Sequence, residues 1–180
     1  MTTATRKANG KHAALVAKLD TPNDLSPQGR AAIADAVNGL VADAFALYIK
    51  TKNFHWHMSG SHYRDYHLLL DEQGDQIFAM TDVLAERVRK LGYTTIRSIG
   101  HIAALQTIGD DEREFVPPLE AITELMNDNK AFAASQRRAH QICEEHGDVA
   151  TASILEVYID ETERRVWFLY EVTTGGEHTG

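Results

Sequence analysis

The stretch Asn53–Arg87, NFHWHMSGSHYRDYHLLLDEQGDQIFAMTDVLAER, carries both the fold and the chemistry of this chain. It packs four histidines and six carboxylates into one short segment. His67 and Asp71 are four residues apart, and so are Asp82 and Glu86. In a helix, each pair lies on one face, a turn apart, and can converge on one cation. At about 100° per residue, Asp82 and Glu86 sit about 60° and 100° round from His67, so all four share one side. Histidine with carboxylates and no thiolate suits iron, manganese or zinc, and repeated carboxylates favour a hard, redox-active ion such as iron.

Length along the helix sets the next step. The midpoints of the two pairs are roughly 22 Å apart at about 1.5 Å per residue, while metal–ligand bonds span only about 2 Å. One straight helix cannot bring both pairs to one ion. A second copy of the helix, antiparallel about a two-fold axis between Gln76 and Ile77, would set His67 and Asp71 of one chain against Asp82 and Glu86 of the other. Two equivalent sites per dimer would result. Gly74 inside a helix points to a close backbone approach there, with Ile77, Phe78, Ala79 and Met80 as apolar contact. His55 precedes His67 by a short turn and is in reach of the same cation, and Trp56 beside it is in range of radical chemistry at the metal. Taken singly, carboxylate pairs at this spacing also describe a solvated helix face; it is their combination with two histidines and a two-fold that argues for a metal.

Outward from this segment the chain reads as helix. Proline occurs only at 22, 27, 117 and 118. Ser26-Pro27 is an N-cap followed by proline at the first helical position. From there Ile33, Val37, Leu40, Val41, Ala44, Phe45, Tyr48 and Ile49 recur at helical spacing to a stop near Ser59-Gly60. The second helix runs from about Ser61 to Leu91, with Gly92 as its cap. The link from Tyr93 to Val116 contains IGHIAAL, a short helix of its own. Pro117-Pro118 opens a third long helix, ending at His146-Gly147, and the fourth begins at Asp148 and frays from Thr173. Alternating strand patterns and internal repeats are absent from the sequence. The expected fold is all-α: a four-helix bundle over 26–172, with an extra short helix between the second and third. The expected flanks are a flexible basic arm over 1–25 and a short tail over 173–180.

The bulk composition fits one globular domain: 180 residues, 43% apolar and 24% charged. A single cysteine, Cys143, excludes an intramolecular disulfide and a cysteine-rich zinc site. No apolar run approaches the roughly 20 residues needed to span a bilayer, and the N-terminus lacks a secretory core, so the expected location is cytoplasmic, with nucleoid association possible through DNA. Of the net charge of −8, the first 25 residues carry +2 and the remainder −10. An acidic body should repel DNA, which leaves Arg6, Lys7 and Lys11 of the arm as the candidate phosphate contacts.

The motif Asn53-Phe54-His55-Trp56, His67-x3-Asp71-Glu72, Asp82-x3-Glu86-Arg87 and Leu91-Gly92 resembles the signature of Dps, the ferritin-like mini-ferritins that protect DNA in starved bacteria. The likeness extends over about residues 26–172. It implies a ferritin-like bundle, assembly into a hollow dodecamer, and ferroxidase centres at two-fold interfaces. By position the metal ligands are His55, His67 and Asp71 from one chain, with Asp82 and Glu86 from its neighbour. It further implies that Fe(II) is oxidised there, preferably by hydrogen peroxide, and stored as ferric mineral. The larger ferritin cages use Glu-x-x-His on bundle helices, and none of the nine histidines here has glutamate three residues before it. That agrees with a site between chains. Glu144, Glu145, Asp148 and Glu156 stand where the family lines its iron pores, although Ser153 replaces a common aspartate. Glu72 and Asp75 are candidates for mineral nucleation or plain solvated positions. The remaining histidines, including His57 and His62, have no singled-out role. Two other functions stay open on sequence: a nucleoid DNA-binding protein with iron secondary, and a hydrolase in which the metal activates water; a Ser-His-Asp arrangement also stays open, with no G-x-S-x-G motif to suggest one.

Overall fold

Ser26 begins the bundle as the sequence predicts. Its hydroxyl accepts the Gly29 N–H at 3.1 Å, and Pro27 fills the first helical position, where no N–H is needed. In the computed structural model, which describes residues 15–174, five α-helices follow a short 3₁₀ turn at Ala17–Leu19. They are α1 (Pro27–His57), α2 (Tyr63–Lys90), α3 (Ile99–Leu105), α4 (Pro118–His146) and α5 (Val149–Thr174). No strand occurs among the described residues. The short helix α3 coincides with IGHIAAL, capped by the Ser98 hydroxyl on the His101 N–H.

Two helical hairpins, α1–α2 and α4–α5, form the bundle, joined mainly through α1 against α4, while α2 and α5 touch sparsely. Ile33, Val37, Leu47, Leu70, Ile77, Leu84, Ile122, Leu125, Phe132 and Leu155 are fully buried between them. Two glycines end helices in left-handed conformations, Gly92 at φ +86° and Gly147 at φ +74°. In each case the next residue's N–H reaches back to the carbonyl five residues earlier, Tyr93 to Val88 and Asp148 to Cys143, which closes the frayed end. The long link from α2 to α4 is pinned to α1 by the buried carboxylate of Asp43, which accepts the Thr107 hydroxyl at 2.8 Å and the Ile108 N–H at 3.1 Å.

Three sequence expectations change. Helix α1 is long and apolar enough to cross a membrane by length and composition alone, contrary to the expectation that no run approached that length. Its apolarity has a local cause: α1 packs against α2, α3 and α4, and so is buried on several sides. Gly74 faces its own α1, not a two-fold neighbour, and a Cβ there would meet Lys52 Cδ at 3.1 Å. Ile77 and Met80 belong to the chain's own core; only Phe78 and Ala79 of that quartet face outward.

The arm expected over 1–25 is described only from residue 15. Its inner end is tied to the bundle: the Thr21 hydroxyl donates to Arg89 O at 2.9 Å, Asp20 pairs with Arg30 at 2.9 Å, and Leu25 packs on the core. Arg6, Lys7 and Lys11 lie outside the described residues, as do tail residues 175–180, while Thr173 and Thr174 continue α5.

Candidate metal site

The turn between α1 and α2 brings His55 and His67 face to face. Their rings stack at 3.7 Å between centroids, tilted by 20°. Each ring is anchored to the other residue's backbone, with His55 Nδ1 at 2.8 Å from His67 O and His67 Nδ1 at 3.0 Å from His55 O. A carbonyl oxygen only accepts, so each Nδ1 carries a proton, and in the neutral imidazole each Nε2 presents a lone pair. Fixing the tautomer and ring plane in this way is how proteins prepare histidine for a metal.

Asp71 completes the cluster, one turn beyond His67. Its Oδ1 is 3.7 Å from His55 Nε2 and 2.5 Å from Lys52 Nζ. The Lys52 ammonium hydrogen-bonded to it holds the Asp71 carboxyl below the usual carboxylate range, so it is anionic at neutral pH. Two imidazoles and one carboxylate, donor types that suit Fe(II), Mn(II) or Zn(II), thus stand near one another, with His55 Nε2 3.7 Å from Asp71 Oδ1.

Asp82 and Glu86 are elsewhere. Both are exposed on α2, 11 and 15 residues beyond Asp71, or roughly 16 and 22 Å along the axis. Among the described residues, Glu86 pairs with Lys90 at 3.3 Å. Asp82 lines a groove of about 690 Å³ with Val41, Phe45, Phe78, Ile96 and Ile99. Phe78, 50% exposed, leans on Tyr48 at 5.0 Å between centroids. Among the described residues, no group of three or more His, Cys, Asp or Glu is arranged to hold a metal by itself. His67 and Asp71 therefore stand well apart from Asp82 and Glu86 along α2, with half-exposed Phe78 between them.

Trp56 is not part of the histidine stack. It is 61% exposed and lines a separate groove of about 380 Å³ with Ile49, Asn53, His57 and Asp110. The ring that does touch the cluster is Tyr63, 5.0 Å from the His67 centroid at 31°. Sequence reasoning missed it, although its position four residues before His67 was the available signal. His57 Nδ1 bonds Asn53 O at 2.8 Å, and His62 rests on Tyr66 at 5.6 Å.

Among the pore candidates, Asp148 is buried and engaged: it caps α5 through the Thr151 N–H at 3.0 Å and takes Arg87 at 3.1 Å on both oxygens. Glu144 and Glu156 flank His140 at 3.6 and 3.3 Å, lining a shallow hollow with Ser153 and Val149. Glu145 accepts from Gln141 and Glu72 from Gln76, both at 3.1 Å, and Asp75 is exposed.

Comparison with known proteins follows the same outline. A family described as "Ferritin-like domain" matches residues 34–176. The DNA protection during starvation protein of Halobacterium salinarum is 33% identical over 132 residues, which cover 72% of this chain and 71% of that relative. The crystal structure of antigen TpF1 from Treponema pallidum superposes with a TM-score of 0.81 at 25% identity, covering 85% of this chain and 98% of that one. A Dps protein from Vibrio cholerae O1, described as a member of a broad superfamily of ferritin-like diiron-carboxylate proteins, gives a TM-score of 0.79 at 24% identity, covering 84% and 96%. With the bundle, the stacked histidines and the acidic pairs all in place, the chain belongs to the ferritin-like family, and within it to the Dps proteins.

Proposed function

We propose that this chain is an iron-oxidising mini-ferritin whose substrate is Fe(II). His55, His67 and Asp71 of one subunit and Asp82 and Glu86 of a two-fold partner would hold the iron. The observation that carries this reading is the reciprocal Nδ1-to-carbonyl lock, which frees both Nε2 lone pairs beside an ionised Asp71. The diiron-carboxylate description of the Vibrio cholerae relative points the same way.

Two Fe(II) supply the two electrons that reduce one hydrogen peroxide and two protons to two waters, leaving two Fe(III). That stoichiometry consumes both ingredients of hydroxyl-radical chemistry, so DNA is protected without needing to be bound. Assembly into a hollow cage, a dodecamer by family likeness, would give the ferric product an interior in which to mineralise.

The test is anaerobic loading of the assembled protein with Fe(II), followed by peroxide or dioxygen in a stopped-flow experiment. Saturable Fe(III) formation, faster with peroxide and consuming one peroxide per two iron, is expected. Oxidation no faster than in protein-free buffer would overturn the reading.

A further inference from the structure

The core of the bundle holds a cation that the iron reading does not use. Arg165, on α5, is only 1% exposed. Its Nε donates to Asn129 Oδ1 of α4 at 2.9 Å. Its Nη2 donates to Thr162 Oγ1 at 2.7 Å and lies 3.8 Å from Met80 Sδ of α2. All three partners are neutral. Nη1 is buried and finds no acceptor among the described residues. Burial lowers the guanidinium pKa to about 10, and Glu161, one turn earlier on α5, opposes that fall only through space. The group therefore keeps its charge at neutral pH.

Gln136 is unsatisfied in the same region. It is fully buried, and neither its Nε2 nor its Oε1 has a hydrogen-bond partner among the described residues. It stands about two turns beyond Asn129 on the same face of α4. Helices α4 and α5 form a tight antiparallel hairpin, and Arg165 reaches back along α5 to Thr162. Its Nη end thus lies on the Gln136 side of Asn129.

We propose that a small monovalent anion of the chloride class binds inside the bundle, between Arg165 Nη1 and Gln136 Nε2. A buried donor destabilises unless it is bonded, and a buried charge unless it is paired. Water would satisfy the donors and leave the charge unpaired. A spherical anion meets both needs at once. Phosphate brings several strong acceptor oxygens, more than these two groups can serve in a closed core. Neither Arg165 nor Gln136 belongs to the candidate iron ligands, so the anion site stands independently of the iron reading.

The experiment uses the full-length assembled protein with sodium bromide in place of chloride. Crystals are measured for anomalous scattering at the bromine edge. In parallel, thermal midpoints are followed at constant ionic strength as bromide replaces gluconate, which is too large to enter the core. A bromide peak within hydrogen-bond distance of Arg165 Nη1 is expected. The midpoint is expected to rise by roughly 3–5 °C for each tenfold increase in bromide above half-saturation. Arg165→Met removes the charge, keeps an apolar stem, and should lose both signals. Gln136→Leu keeps the charge and removes one donor, so it should need more bromide for the same rise; it keeps the test decisive if Arg165→Met does not assemble. Water or the Glu161 carboxylate at Nη1, with no halide there, would overturn the proposal. So would a midpoint rise that persists undiminished in the variants, which would report adventitious surface ions only.

Discussion

At the scale of single residues, burial separates side chains that hold the fold from those that wait for something. His55 is buried with its Nε2 directed at Asp71, whereas Asp82 and Glu86 are exposed with at most a surface lysine as partner. The prediction is that Glu86→Ala and Asp82→Ala slow iron oxidation sharply while shifting stability by no more than about 0.5 kcal/mol, as exposed substitutions do. His67→Ala also slows oxidation but destabilises by roughly 1–2 kcal/mol, because it leaves the His55 carbonyl without its donor. Oxidation rates and thermal midpoints measured together check this, and a Glu86→Ala protein with full activity would contradict it. Helical spacing singled out four of the five ligand candidates, and the short turn before His67 pointed to His55. What spacing could not show was the reciprocal carbonyl lock or the Lys52–Asp71 pair, since both depend on how α1 and α2 meet.

At the scale of elements, the helix limits were readable because glycine, proline and serine mark them chemically. Burial direction was not. Gly74, Ile77 and Met80 were expected at a symmetry contact, yet they face α1 and the core, because consecutive helical positions point to different sides and the sequence does not say which side has a neighbour. The two left-handed caps give a graded test. Gly147→Ala forces a Cβ into left-handed backbone with open space around it, at a cost of roughly 1–2 kcal/mol. Gly92→Ala carries the same backbone cost and also drives its Cβ to 2.8 Å from Asp20 Oδ1 and 3.1 Å from the Thr21 N. Thermal unfolding should therefore rank Gly92→Ala as the less stable variant. Equal losses would mean that the 20–21 segment is not docked where it is described.

At the scale of the whole molecule, the proposed site needs a second copy of the chain. The His67–Asp71 and Asp82–Glu86 pairs stand too far apart on one helix to share a cation, and Phe78 with the groove beside Asp82 forms an apolar face between them. The two-fold that would complete the site is an inference from helix geometry joined to family likeness, and it is the central claim of this account. Co-assembly tests it most directly. Asp71→Ala and Glu86→Ala proteins are each expected to oxidise iron only slowly alone, because every site in either homodimer would lack one ligand. In a mixed dimer, one site loses both ligands and the other keeps its full set. Random mixing should then return roughly a quarter of the wild-type sites, since half of the dimers are mixed and each has one intact site of two. Iron oxidation recovering toward that level on co-assembly is the predicted result; no recovery, with mixed dimers demonstrated by mass spectrometry, would contradict a site shared between chains.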